Sequence, residues 1–226
     1  MRTTPTRFAQ RTLTLTAALA LAATLLTGCG FSQPNPDQSA WLVTPERTGA
    51  PHAKPVNLQL KVGTFSANTP FDGKSLVYRL SDNRYEKDFY NVYLIYPRDM
   101  VSNATRHWLV KSNAFSQVIE QSSVFFPMYQ LQGVIDEFYG DYRGTPEAVV
   151  TIQFYASASF TANRNVFSSP RITKRVALKD KSPQALIDGQ QQALAEVLAE
   201  LETRLIADSA NAPAPYKPAS IADKKQ

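Results

Sequence analysis

One cysteine, two histidines and a short acidic run are the side chains of this 226-residue sequence best suited to chemistry. His52 lies in a proline-rich stretch, and His107 stands beside Trp108 with no second ligand at a metal spacing. Both read as surface histidines. The acids Asp136, Glu137 and Asp141 in "GVIDEFYGDY" have the residue types of a paired-carboxylate glycosidase or a cation site. Adjacent Asp136 and Glu137 would point to opposite faces of a strand, so solvated or turn-flanking acids are expected instead. No glycine-rich phosphate loop occurs, which excludes an ATPase. The chain reads as no enzyme, with no cofactor and no metal. Tyr85, Phe89, Tyr90, Tyr93 and Tyr96 alternate with Arg84, Lys87 and Arg98, an interleaving of rings and positive charge that suits an interface.

The cysteine, Cys29, is the one thiol, so no internal disulfide can form and the fold must rest on its core. Arg2, Arg7 and Arg11 open the chain without an acid, and residues 13–26 are entirely Leu, Ala and Thr. A basic segment, a short apolar core and small residues describe an export signal. The apolar core falls short of the roughly 20 residues a spanning helix needs. Leu26, Thr27, Gly28 and Cys29 resemble a bacterial lipobox. That resemblance implies recognition of Leu26 and Gly28 by signal peptidase, cleavage after Gly28, and a diacylglyceryl thioether with amino-terminal acylation at Cys29. Palmitate-type acyl chains would anchor the protein far more firmly than one chain could. Gly30 stands where an enterobacterial inner-membrane retention signal would place Asp, which points to the periplasmic face of the outer membrane.

Residues 1–28 carry three arginines and no acid, so their removal leaves 198 residues and lowers the formal charge from +5 to +2. So small a charge offers no argument for nucleic acid. Residues 29–55 hold five prolines among polar residues and read as a linker. Residues 208–226 read as a polar tail. The patterned part, 56–207, is one domain.

The elements that would position these residues are readable from periodicity. Val56, Leu58, Leu60 and Val62 alternate with polar residues, as in a half-buried strand. Asp72-Gly73 turns the chain into a strand at 76–80, and Asp82-Asn83 into another at 85–90. Pro97 opens a helix that Ser112-Asn113 ends, with Met100, Ala104, Trp108 and Leu109 near one face. Most of the nearby rings are expected to pack beneath it. A short strand at 115–119 and two long ones at 128–142 and 148–160 follow, with Gly133 marking a bulge or a close backbone approach. A turn at Asn163-Arg164 leads to a last strand at 166–178. Ser182-Pro183 then caps a helix whose Leu186, Ala193, Leu194, Val197, Leu201 and Leu205 form an apolar stripe. The expected class is α+β, a mainly antiparallel sheet packed against two helices.

In this order the landmarks resemble the ABC-type transport auxiliary lipoproteins, the PqiC-like family. Val77-Tyr78-Arg79, the Tyr-rich stretch 85–96, the helix from Pro97 to Leu109 and Phe115 to Val118 carry the resemblance, with "YQLQGVIDEFYGDY" and the final helix behind them. The chain departs in having Tyr93 where many relatives have Trp. The resemblance implies a non-enzymatic part of an envelope lipid-transport system, with an MCE-domain protein and an ABC permease and ATPase as partners. A homo-oligomeric ring is also implied. Tyr90, Tyr93, Tyr96 and Arg98 are the expected partner interface. The competing class is a lipoprotein that braces the envelope or assists outer-membrane assembly without lipid transfer.

Overall fold

The computed structural model describes residues 37–125, 127–159 and 165–214. Leu26, Gly28, Cys29 and the expected turn at Asn163-Arg164 lie outside these residues. The described chain forms one α+β domain, a ten-stranded sheet with two helices. Its spine is the antiparallel pair β7 (Tyr129–Asp141) and β8 (Glu147–Ala158), paired from Tyr129 opposite Ala158 to Asp141 opposite Glu147, with a one-residue register shift at Asp136 between Ile135 and Glu137. On its far side β8 carries β10 (Arg171–Ala177) and the short β9 (Val166–Ser168). The single last strand expected at 166–178 is therefore broken at Ser169-Pro170. Proline has no N–H for the ladder, and there the Pro170 carbonyl still accepts from Phe154 N–H at 2.9 Å.

The second edge of β7 is divided among three partners. β2 (Val56–Val62), β3 (Ser66–Ala67) and β4 (Ser75–Arg79) each join it in parallel over two or three residues. Beyond them lie β6 (Phe115–Ile119), parallel to β2, and β5 (Tyr85–Tyr93), antiparallel to β4. The long ladders are thus antiparallel, and the amino-terminal half is sewn on by short parallel ones. These parallel joins are invisible to periodicity, which reports a strand's face and not its neighbour.

Helix α1 (Pro97–Ser112) begins on proline and ends at Asn113, whose left-handed φ of 52° is the αL cap that closes such helices. Its Met100, Val101, Trp108 and Leu109 are buried. Helix α2 (Pro183–Asp208) is capped by Ser182 Oγ, which accepts from Ala185 N–H at 3.2 Å. The whole expected stripe from Leu186 to Leu205 is buried. Gly133 is a close approach: a Cβ there would stand 2.6 Å from the Phe65 ring.

Two expectations about the termini change. Of the segment read as a linker, residues 37–55 lie on the domain: β1 (Ser39–Trp41) pairs in parallel with β5, Val43 is in the core, and His52 N–H donates to Ser112 O at 2.8 Å. Proline content had masked Trp41, Leu42 and Val43, an apolar triplet a free linker has no use for. At the other end residues 208–214 also pack, with Tyr129 Oη donating to Pro213 O at 2.6 Å.

Candidate docking surface

The residues with chemical potential separate into a buried staple, a set of satisfied ion pairs and an exposed aromatic rim. The staple is Glu202, buried on α2 at four residues after Leu198 and three before Leu205, within the apolar stripe. Arg47 reaches its two oxygens from Nη2 at 2.9 Å and Nε at 3.0 Å. His52 Nε2 lies 2.7 Å from Oε1, and Trp108 Nε1 donates to Oε2 at 2.7 Å. Burial pushes the Glu202 carboxyl up, but the bonds from Arg47, His52 and Trp108 outweigh it and hold the group below the usual range. The histidine expected in a free linker is therefore part of a clasp that ties residues 47–52, α1 and α2 together. A glutamate inside an apolar helical stripe was the sequence signal for it.

The acidic run is divided among different donors. Asp136 pairs with Arg171 at 2.9 Å and accepts from Asn68, and Glu137 accepts from Thr151 Oγ1 at 2.5 Å. Asp141 is buried and held well below the usual carboxylate range, first by Arg143 and then by Arg175 against the cost of burial. Each carboxylate thus serves a local tie. Among the described residues no group of three or more His, Cys, Asp or Glu side chains is placed to hold a metal ion.

The rim runs along β5 into α1. Phe89 and Tyr90 are each 59% exposed and meet edge to face, ring centroids 5.3 Å apart. Leu94 and Tyr96 follow at 54% and 41% exposed. Arg98 stacks on the Tyr96 ring at 4.5 Å and pairs with Asp72 at 2.5 Å; Lys74 lies over the same ring at 5.3 Å. This shelf presents an apolar surface with two cations at its edge. Tyr93 does not belong to it. It is 1% exposed, tilted against Phe138, and its hydroxyl donates to Gln190 Oε1 at 2.9 Å inside the core. Tyr90, three positions earlier and within the bulged run 87–92, lies exposed. The rings expected beneath α1 are instead mostly exposed, since β5 runs out along the sheet edge beyond the helix. Phe89, read in the sequence among the interleaved rings but not among the four interface residues, is a rim residue. Among the described residues no helix is long and apolar enough to cross a membrane.

Comparison with solved structures places the fold among known ones. Protein XCC0632 from Xanthomonas campestris superposes with a TM-score of 0.63 at 19% identity, over 77% of this chain and 96% of that one. An uncharacterized protein superposes at 0.59 and 13% identity, over 75% of this chain and 99% of its own. No curated protein matches the sequence. The family model described as ABC-type transport auxiliary lipoprotein component matches residues 42–202. That span begins at Leu42 within the apolar triplet, takes in α1 and every strand from β2 to β10, and ends on Glu202 within α2; the chain belongs to the ABC-type transport auxiliary lipoprotein family.

Proposed function

We propose that this chain is an outer-membrane lipoprotein, acylated at Cys29 and facing the periplasm, that docks the periplasm-spanning MCE-domain protein of an ABC-type lipid-transport system. The observation that carries the reading is the shelf of Leu94, Tyr96, Arg98 and Lys74, an exposed apolar surface with stacked cations on a domain of the transport auxiliary family. Aromatic residues and arginine are the types enriched where protein interfaces bury their centre. The remaining charged residues of the acidic run are tied up in local pairs, so binding is the chemistry this surface offers. A homo-oligomeric ring would repeat the shelf around one partner.

Immunoprecipitation of the full-length lipoprotein from detergent-solubilised envelopes, followed by mass spectrometry, tests the reading. An MCE-domain protein with its ABC components is the expected catch. The Tyr96→Ala/Arg98→Ala variant should lose it, whereas Tyr93→Phe, a core change, should retain it. Recovery only of peptidoglycan-associated or outer-membrane assembly proteins would replace transport with an envelope-bracing role.

A further inference from the structure

Within β5 the run Lys87-Asp88-Phe89-Tyr90-Asn91 does not follow its ladder. Val77 lies opposite Lys87 and Ser75 opposite Val92, so two steps along β4 face five along β5. The surplus residues arch out of the sheet. Asp88 holds the arch: Oδ1 accepts from Tyr90 N–H at 2.8 Å and Asn91 N–H at 2.9 Å. Its Oδ2 accepts from Asn91 Nδ2 at 3.0 Å and the Tyr78 hydroxyl at 2.8 Å. Trp41 Nε1 secures Asn91 Oδ1 at 3.0 Å. Bulges re-aim side chains, and this one aims two large rings outward. A carboxylate with four donors is a firm local framework for a pair of aromatics left in water. An exposed apolar group of this kind is the sort of surface that marks an interaction site.

The course of the chain says which surface. Gln38 Nε2 donates to the Phe89 carbonyl at 2.8 Å, so the described chain enters the domain at the arch itself. Asp37 stands eight residues after Cys29, and eight residues fully extended reach at most about 29 Å. A domain spanning residues 37–214 is about 40 Å across from its expected radius of gyration. The tether is shorter than the domain is wide. The end of the domain beside Gln38 therefore stays within about 29 Å of the leaflet that anchors Cys29, and turning that end away from the leaflet is disfavoured.

We infer that Phe89 and Tyr90 are a lipid-contacting pair, seated in the headgroup region of the leaflet that holds the acylated Cys29 and fixing the domain's orientation on it. Aromatic rings favour that depth, with an apolar body and, for Tyr, a polar tip. The inference rests on acylation at Cys29. It takes Tyr90 out of the expected protein interface and leaves Tyr96 and Arg98 for the partner.

Acylation leaves no free thiol, so a cysteine introduced by Tyr90→Cys can be labelled uniquely with a nitroxide while Phe89 remains. Full-length acylated protein is reconstituted into phosphatidylethanolamine–phosphatidylglycerol vesicles with no partner present. Labels at Val124→Cys, on an exposed apolar loop, and at Glu196→Cys, on the wet side of α2, serve as comparisons. The ratio of oxygen to nickel-chelate collisions at 90 should be several-fold above that at 196. A ratio at 90 equal to that at 196 overturns the inference, as does a lipid signature at 124 in its place. Protection at 90 that appears only on adding the solubilised MCE complex returns Tyr90 to the partner interface. The intact mass is read first: an unmodified Cys29 overturns the tether and this inference together, and leaves the Tyr96 docking test standing.

Discussion

Single residues in this protein carry more than their types announce. Glu202 is an acid in an apolar stripe, and it is tolerated because three donors from separate parts of the chain converge on it. Removing the charge would strand Arg47, whose side chain is nearly buried. Breaking one partner of a buried pair costs about 3–5 kcal/mol, and Glu202→Gln should lower the stability at neutral pH by that order in chemical denaturation. The pH dependence has a definite sign. The folded-state value of Glu202 lies below its unfolded value near 4.5, so its contribution is complete above that pH and is lost as the pH falls toward the folded value. The acid limb of stability against pH should be shallower in Glu202→Gln than in the natural chain. It should not be flat, because Asp141 is depressed in the same direction. An unchanged limb would mean that the clasp contributes nothing to folding.

At the scale of elements, local rules account for most boundaries. Strands at 56–62 and 115–119, the proline-initiated α1 with its asparagine cap, and the serine-capped α2 all carry their own start and stop signals. Gly133 shows how an element also records its neighbour. The strand accepts a glycine there because the Phe65 ring occupies the space of a side chain. Gly133→Ala should destabilise by about 1–3 kcal/mol through overpacking. Adding Phe65→Leu should recover part of that loss, since two residues in contact couple in a double-mutant cycle. Strict additivity of the two changes in thermal or urea unfolding would show that the contact is not the cause.

For the whole molecule, the decisive element is the amino-terminal segment. β1 extends the sheet beside β5, Val43 N–H donates to Met100 Sδ at 3.3 Å, and Arg47 and His52 complete the Glu202 clasp. A chain beginning at Pro55 should be less stable than one beginning at Asp37 by at least about 3 kcal/mol, the cost of leaving Glu202 without those partners. Amide exchange should accelerate in the last turn of α1, where His52 N–H now meets the Ser112 carbonyl. Equal protection in the two chains would restore the picture of a free linker. With Cys29 acylated as proposed, the segment would also shorten the tether to the membrane and give the domain a membrane-facing side.

By itself the sequence determined both helices and the longer strands, the apolar stripe of α2, the antiparallel hairpin of β7 and β8, and the family, but not β1, β3 or the break between β9 and β10. Each of these is a local or ordered pattern, in which residues a few positions apart share one face or one signal. The tertiary structure alone decided that residues 37–55 belong to the domain, that Tyr93 is core while Tyr90 and Tyr96 are surface, and that β7 gathers three parallel partners on one edge. These depend on contacts between positions 50 to 155 residues apart, such as Trp41 with Asn91 and Arg47 with Glu202. The alternation of a strand names two faces but not which one meets water, and a bulge of surplus residues resets the alternation without any change in composition.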